Sequence, residues 1–168
     1  MDFRERLQKA AERGQRARDA KLSEAVAQAL SEEEYRRLHA NLRLPLSEHI
    51  ERCLHELADR FPGFQVETIV DESGWGAAMN RDDVNLAGSS RAQPSGGRRG
   101  TFFSRLKIVV SPHNKFHVLE LAAKGTVRNK ESFSRNHYQR LTEVDPESFR
   151  ELVELWVLDY AELFAAAE

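Results

Sequence analysis

The sequence predicts an α+β protein in which N-terminal helices precede an antiparallel meander of four or five strands, with a C-terminal helix packed on the sheet. Two changes of hydrophobic period support this prediction. Up to residue 61 the apolar residues recur every three or four positions, and from residue 64 they alternate. After residue 145 the helical spacing returns. Segregation of helices and strands along a chain is typical of α+β folds.

The composition indicates a globular protein. The chain has 168 residues, of which 40% are hydrophobic and 31% charged, enough for one well-cored domain. Its single cysteine, Cys53, excludes an intrachain disulfide and suits a reducing compartment. The start of the chain has no apolar segment typical of a secretory signal, and no apolar run approaches the length that spans a membrane. We therefore expect a cytoplasmic protein without a membrane contact.

The N-terminal third is predicted to be helical. Residues 1–20 are charged and poor in apolar side chains, which favours a helical arm, either solvated or ordered on a partner, that precedes a single domain at 21–168. Helices are predicted at 22–30, 31–44 and 46–60. Ser31 and Glu34 match a capping box at the start of the second helix, and Pro45 is expected to end it.

Strand patterns follow as far as residue 141. They cover about residues 64–70, 75–86, 101–111, 116–128 and 132–141. The segment 87–100 is rich in Gly, Ser and Arg and predicts a flexible loop.

Two turns are expected to set the strand register. A turn at residues 111–114 places Arg105 opposite Glu120. A two-residue turn at residues 129–130 places Lys124 opposite Arg135.

The last helix is predicted to begin at Asp145, with Asp145 as N-cap and Pro146 at the first helical position. Its apolar residues, among them Trp156 and Leu158, cover more than one face of the helix. Such a helix is either deeply buried or part of an interface. We expect it to cross the apolar face of the sheet with Trp156 buried, and a homodimer contact is the alternative use of the excess apolar surface.

Positive charge is concentrated in residues 91–140, which hold eleven basic and two acidic residues, a net charge of +9 in a chain whose net charge is −2. The Lys124–Arg135 opposition is unfavourable unless an anion relieves it. The sequence thus predicts an anion-binding sheet face for an acidic protein surface or a nucleic acid. Its candidate residues are Arg98, Arg99, Arg105, Lys107, Lys124, Arg128 and Arg135.

No sequence pattern indicates catalysis, a cofactor or a metal site. The glycine-rich loop lacks the ending of a phosphate-binding P-loop, and His49 and Cys53, four apart, have no further ligands at suitable spacing. We therefore predict a non-enzymatic binding protein. The alternative is a small enzyme with His137 as an acid/base group near the sheet surface.

Overall fold

The computed structural model describes residues 2–84 and 101–167; the side chains of residues 23–31, 84 and 101 lie outside that description. The α+β class is confirmed. A single turn of 3₁₀ helix, Leu141–Glu143, joins the last strand to the last helix. The elements in chain order are α1 (Phe3–Arg60), β1 (Gln65–Asp71), β2 (Gly74–Val84), β3 (Thr101–Val110), β4 (Val118–Val127), β5 (Lys130–Arg140) and α2 (Pro146–Ala167).

The helical N-terminal region is one continuous helix, so the predicted boundaries at Ser31 and Pro45 are wrong. A proline inside a helix costs about 3 kcal/mol, because it removes one hydrogen bond and crowds the carbonyl four residues earlier. The turns that follow Pro45 bury Leu46, Ile50 and Leu54. Burial of each such side chain contributes roughly 1.5–3 kcal/mol, so the three together contribute more than the proline costs.

The backbone divides into two compact units, one up to Leu38 and one from His39 onward. In the first unit Phe3, Leu7 and Leu22 are more than half exposed. Glu33 and Arg37 form an ion pair of 2.9 Å at i, i+4 spacing, a contact that contributes a few tenths of a kcal/mol. The predicted arm at residues 1–20 lies within this unit, and its separation from residues 21–168 stays a prediction. The predicted loop at 87–100 lies outside the described residues.

In the second unit five strands form an antiparallel meander in the order β1-β2-β3-β4-β5. Leu106, Ile108 and Val110 are fully buried on one face, which we call the inner face. Residues 39–60 of α1 and the helix α2 lie against it. The Thr68 hydroxyl donates to Glu51 of α1 at 2.8 Å, and the Tyr160 hydroxyl of α2 donates to the carbonyl of Thr126 at 2.8 Å.

The β3–β4 register differs from the prediction. Lys107 pairs with Lys124, and Arg105 pairs with Thr126 rather than with Glu120. The connection is longer than the predicted turn because residues 111–117 all belong to it. His117, its last residue, has a positive φ of 52°. The β4 partner of each β3 residue lies six residues later in the chain than predicted. Because side chains alternate between faces, an even shift leaves each residue on its predicted face.

The β4–β5 register is also wrong in the prediction, and here the faces change. The two-residue turn is Arg128-Asn129, with φ values of 47° and 69°, as a type I′ hairpin requires. A bulge at Gly125/Thr126 then shifts the pairing, so that Lys124 lies opposite Ser134. The net slip is one residue, which moves Arg135 and His137 to the inner face.

The C-terminal helix begins as predicted. The Asp145 carboxylate accepts a hydrogen bond from the Glu147 backbone N–H at 3.2 Å, which satisfies one of the unpaired donors at the helix start. Trp156 is only 4% exposed, and its expected burial is confirmed. Leu155 and Leu158 are 52% and 66% exposed, so the excess apolar surface faces away from the core.

Candidate anion-binding site on the outer face

The sheet face opposite the helices, which we call the outer face, carries three of the predicted basic residues. Arg105 and Lys107 are two residues apart on β3, and Lys124 of β4 pairs with Lys107. The three side chains therefore lie on this outer face, since side chains alternate along a strand and paired residues share a face. Lys107 and Lys124 are directly opposite each other. Two like charges at this position repel, and the repulsion is unfavourable unless a counter-charge lies between them.

A shallow cavity of about 220 Å³ lies at the two lysines. Its lining is apolar apart from Ser73 and the lysines themselves, with Val109 and Ala122 contributing side chains from the outer face. Val109 and Ala122 form the apolar floor of the cavity, and two cations lie above it. This arrangement favours a ligand whose negative charge is carried by a short aliphatic chain.

Gly76 explains why the floor is closely packed. In the register it lies between Ile69 of β1 and Val109 of β3, and a Cβ at this glycine would collide with the carbonyl oxygen of Ile108. The missing side chain lets β2 and β3 approach closely and leaves Ile69 and Val109 on either side of it. Those two residues form a buried cluster with Ala78, and Ala122 packs against it.

The turn between β1 and β2 positions one of the lysines. The Lys107 ammonium donates to the Ser73 hydroxyl at 2.8 Å, and that hydroxyl donates in turn to the Asp71 carboxylate. The Ser73 backbone N–H donates to the same carboxylate at 2.8 Å. These hydrogen bonds, together with the nearby Lys107 charge, hold the pKa of Asp71 below its ordinary value.

Lys124 differs from Lys107 in its surroundings. Its side chain is exposed, and no hydrogen bond or ion pair joins its ammonium to another described residue. Lys107 is thus held in place by the turn, whereas Lys124 keeps its bonding capacity for a ligand from solution.

The remaining predicted residues are dispersed. Arg105 pairs with Glu67 at 3.5 Å. Arg128 lies 5.7 Å from the ring centre of Phe102, an inner-face residue. Arg135 pairs with Asp159 of α2 at 3.9 Å, also on the inner side. Arg98 and Arg99 lie outside the described residues.

The outer face is not uniformly basic. Glu67, Asp71 and Glu120 share it with the lysines, and the exposed Tyr138 of β5 is its clearest aromatic platform. A polynucleotide track needs a continuous positive groove with several stacking rings. The described part of this face therefore fits a short anionic group better than a long one.

His137, the alternative catalytic residue, lies on the inner face of β5. Its ring is 5.3 Å from that of Phe149, and its Nε2 is 3.2 Å from the side-chain amide of Gln139. The acidic residues Asp82 and Asp83 stand on β2, with β3 and β4 between them and β5. The His137 enzyme hypothesis stays a prediction. Among the described residues, its ring contacts are the Gln139 amide and the Phe149 ring.

The sequence missed two residues of the site. In the sequence, Asp71 and Ser73 indicate only a turn between two strands. They approach Lys107 because β2 pairs with β3. The signal that was available is the lack of a side chain at Gly74 and Gly76, since alternate glycines in a strand mark a close approach of neighbouring backbone.

The fold is α+β, and the sheet face opposite the helices carries a shallow cavity at Lys107 and Lys124. Comparison with protein-family models, with curated proteins and with solved structures found no match to this chain. Neither helix in the described ranges combines the length and the apolar character needed to span a bilayer.

Proposed function

We propose that this chain is a non-enzymatic binding protein whose outer face accepts an acidic segment of another protein. The observation that supports this proposal is the direct opposition of Lys107 and Lys124 over an apolar floor. A carboxylate between the two ammonium groups replaces a repulsion by two attractions. The floor at Val109 and Ala122 then accommodates the methylene groups that carry the carboxylate in Asp and Glu.

An acidic protein fits the site better than a nucleic acid does. Acidic side chains stand on the same face as the lysines, and a phosphate backbone passing over Glu67 or Glu120 would be repelled by them. Arg105 is already paired with Glu67, so it adds little net positive charge. The overall net charge of −2 also lacks the basic excess typical of dedicated nucleic-acid binders.

The test is a titration with a short peptide that carries one or two glutamates and, separately, with a single-stranded polynucleotide, both at low ionic strength. The variant K107Q/K124Q removes both charges of the site. The matched control K115Q/K130Q removes two exposed lysines outside the cavity, one from the β3–β4 connection and one from the first position of β5. Exposed ion pairs contribute about 0.5–1 kcal/mol each, so the site variant should bind the glutamate peptide roughly 5- to 30-fold more weakly than the wild type.

The control variant should bind within about twofold of the wild type, since its lysines are outside the site and contribute only to long-range attraction. Equal weakening in both variants would mean that net charge alone matters, which contradicts a defined site. Tight polynucleotide binding that is lost in K107Q/K124Q and falls steeply with salt would replace the acidic protein by a nucleic acid as partner.

A further inference from the structure

A second group of chemically capable side chains lies at the connection between β3 and β4. His113 and His117 stand in this connection, four positions apart, and each offers a ring nitrogen within 4.8 Å of the other. Their ring centres are 5.9 Å apart. Sequence spacing alone did not single out this pair, because the two residues come together only through the conformation of the turn.

One of these rings has an unmet bonding requirement. The Nε2 of His113 is buried, and no hydrogen-bond partner for it is present among the described residues. A buried polar atom without a partner costs about 1–3 kcal/mol, so such atoms in native proteins usually mark a bound water, an ion or a functional group. A metal ion is one species that would satisfy an unprotonated imidazole nitrogen.

His39 holds the His113 ring from the other side. The two ring centres are 5.7 Å apart at an interplanar angle of 83°. The Nε2 of His39 is 3.0 Å from the backbone carbonyl of Ser111, and this carbonyl can only accept, so Nε2 carries the proton. His39 is thereby anchored to the start of the same connection and limits the rotation of His113.

The connection itself is held at both ends. The Ser111 N–H donates to the Glu120 carbonyl at 2.9 Å, and the His117 carbonyl accepts from the Leu141 N–H at 2.9 Å. The Asn114 side chain accepts from the Phe116 N–H at 2.9 Å. His117 has a left-handed φ of 52°, a conformation that persists only where surrounding contacts maintain it. The two imidazoles are therefore preorganised by backbone contacts.

From this geometry we infer that His113 and His117 bind a divalent transition-metal ion of the zinc and copper class. Imidazole nitrogen is a preferred ligand of these metals. At about 2.0–2.1 Å from each nitrogen, the ion requires the nitrogens to lie no more than about 4.2 Å apart, which is compatible with their separation of at most 4.8 Å. Two protein ligands leave coordination positions for water or for an anionic group from solution.

The test is a calorimetric titration of the full chain with Zn²⁺ alone, after removal of metal with a chelator. The wild type should bind one equivalent of Zn²⁺. H113Q and H117N should each weaken binding by at least about tenfold, because even the loss of a residue that only hydrogen-bonds a metal ligand weakens metal binding by that factor. Asparagine is chosen at 117 because it tolerates a positive φ. H55Q, a change at an exposed histidine of α1, is the matched control and should bind as the wild type does.

A titration with Co²⁺ distinguishes this site from the only thiol. Ligation by imidazole and water should give absorption without a thiolate-to-metal charge-transfer band. Such a band, or loss of binding in H49Q with H113Q unaffected, would place the metal at Cys53 and overturn the inference. Thermal unfolding in the presence of chelator shows whether H113Q folds; if it does not, H117N decides alone, and unchanged zinc affinity in H117N is evidence against the site.

Discussion

At the scale of single residues, the Lys107–Lys124 pair makes a prediction about stability that is independent of any ligand. In K124E an opposite-charge pair replaces a like-charge pair across β3 and β4. A cross-strand pair of this kind contributes roughly 0.2–1 kcal/mol, so the variant should have a higher free energy of unfolding in urea at low salt. The gain should shrink at high salt, because the pair is partly exposed and is screened.

The control for this prediction is K130E, since Lys130 pairs with Val127 and has no basic residue opposite it. It should change the free energy of unfolding by less than about 0.5 kcal/mol. The contrary outcome is that neither K124E nor K130E raises the free energy of unfolding at low salt. The two ammonium groups then do not repel across the strands, and the electrostatic argument for an anion site weakens.

Cys53 should be an unreactive thiol in the folded protein. Burial, followed by the charges of Glu154 and Glu56, raises its pKa to about 11. A raised pKa means that thiolate, the reactive form, is scarce until the pH approaches that value. At about pH 8 we expect alkylation by iodoacetamide to be roughly a hundredfold slower than in urea-unfolded protein, whose thiol has an ordinary pKa of about 8.5.

The pH profile of the alkylation rate provides the check. In the folded protein the rate should continue to rise toward pH 11, and E154Q should be faster than the wild type because one negative charge near the sulfur is removed. A plateau of the rate below about pH 9 in folded protein would contradict the raised pKa.

At the scale of elements, α1 carries a proline that it does not need for its shape. Pro45 lies inside the helix with its ring exposed. P45A restores a backbone donor and removes the steric conflict, which is worth about 3 kcal/mol in a helix interior, although the unfolded chain also gains about 0.4–1 kcal/mol of conformational freedom. The free energy of unfolding in urea should therefore rise by about 1–3 kcal/mol.

E48A, at an exposed position one turn further along α1, is the control for this change and should stay within about 0.5 kcal/mol of the wild type. A P45A variant that is less stable than the wild type would show that the proline supports a bend on which the packing of Leu46 and Ile50 depends.

The α2 helix is predicted to contribute to stability chiefly through its buried side. W156A removes a large side chain that is 4% exposed and should lower the free energy of unfolding by about 3–5 kcal/mol. E151A, on the exposed side of the same helix, should have little effect. Equal unfolding midpoints of W156A and the wild type would contradict the placement of this ring in the core.

At the scale of the whole molecule, the second unit leaves an apolar surface beside a groove. A cavity of about 500 Å³ lies between α1 and α2, with Leu57, Val157 and Leu158 among its lining residues. Leu158 is exposed at the cavity, and Leu155, three residues earlier on α2, is exposed as well. A protruding apolar side chain next to an apolar groove can be self-complementary under a two-fold axis, so we propose a second copy of the chain as the partner for this surface.

We therefore predict a homodimer in sedimentation at micromolar concentration, and a monomer for L155E/L158E. L44E changes a leucine of α1 that is 56% exposed and lies outside the groove lining, and it should leave the dimer intact. A wild-type monomer over the whole concentration range would remove this role for the exposed leucines without affecting the anion site, which stands on the other face of the sheet.

The amino-acid sequence by itself determined the α+β class, the approximate strands, the start of α2 and the membership of the inner core. These features depend on local periodicity and on end signals such as Asp145-Pro146, which are complete within a few residues of chain. Leu106, Ile108 and Val110 alternate with Arg105, Lys107 and Val109 in the sequence, and they share one buried face in the structure. The wrong β3–β4 register did not change this face, because a shift by an even number of residues preserves the alternation.

Only the tertiary structure decided which charged residues meet. Register depends on turn length and bulges, which are set by non-local packing. The seven-residue connection at 111–117 places Lys124 opposite Lys107 on the β3 side, and the turn at Arg128-Asn129 with the bulge at Gly125/Thr126 places it opposite Ser134 instead of Arg135 on the β5 side. The continuity of α1 through Pro45 has the same origin, because burial on the sheet outweighs a local helix-breaking preference. A binding site assembled across strands is thus less predictable than the strands themselves, since a one-residue slip reverses the face of every side chain that follows.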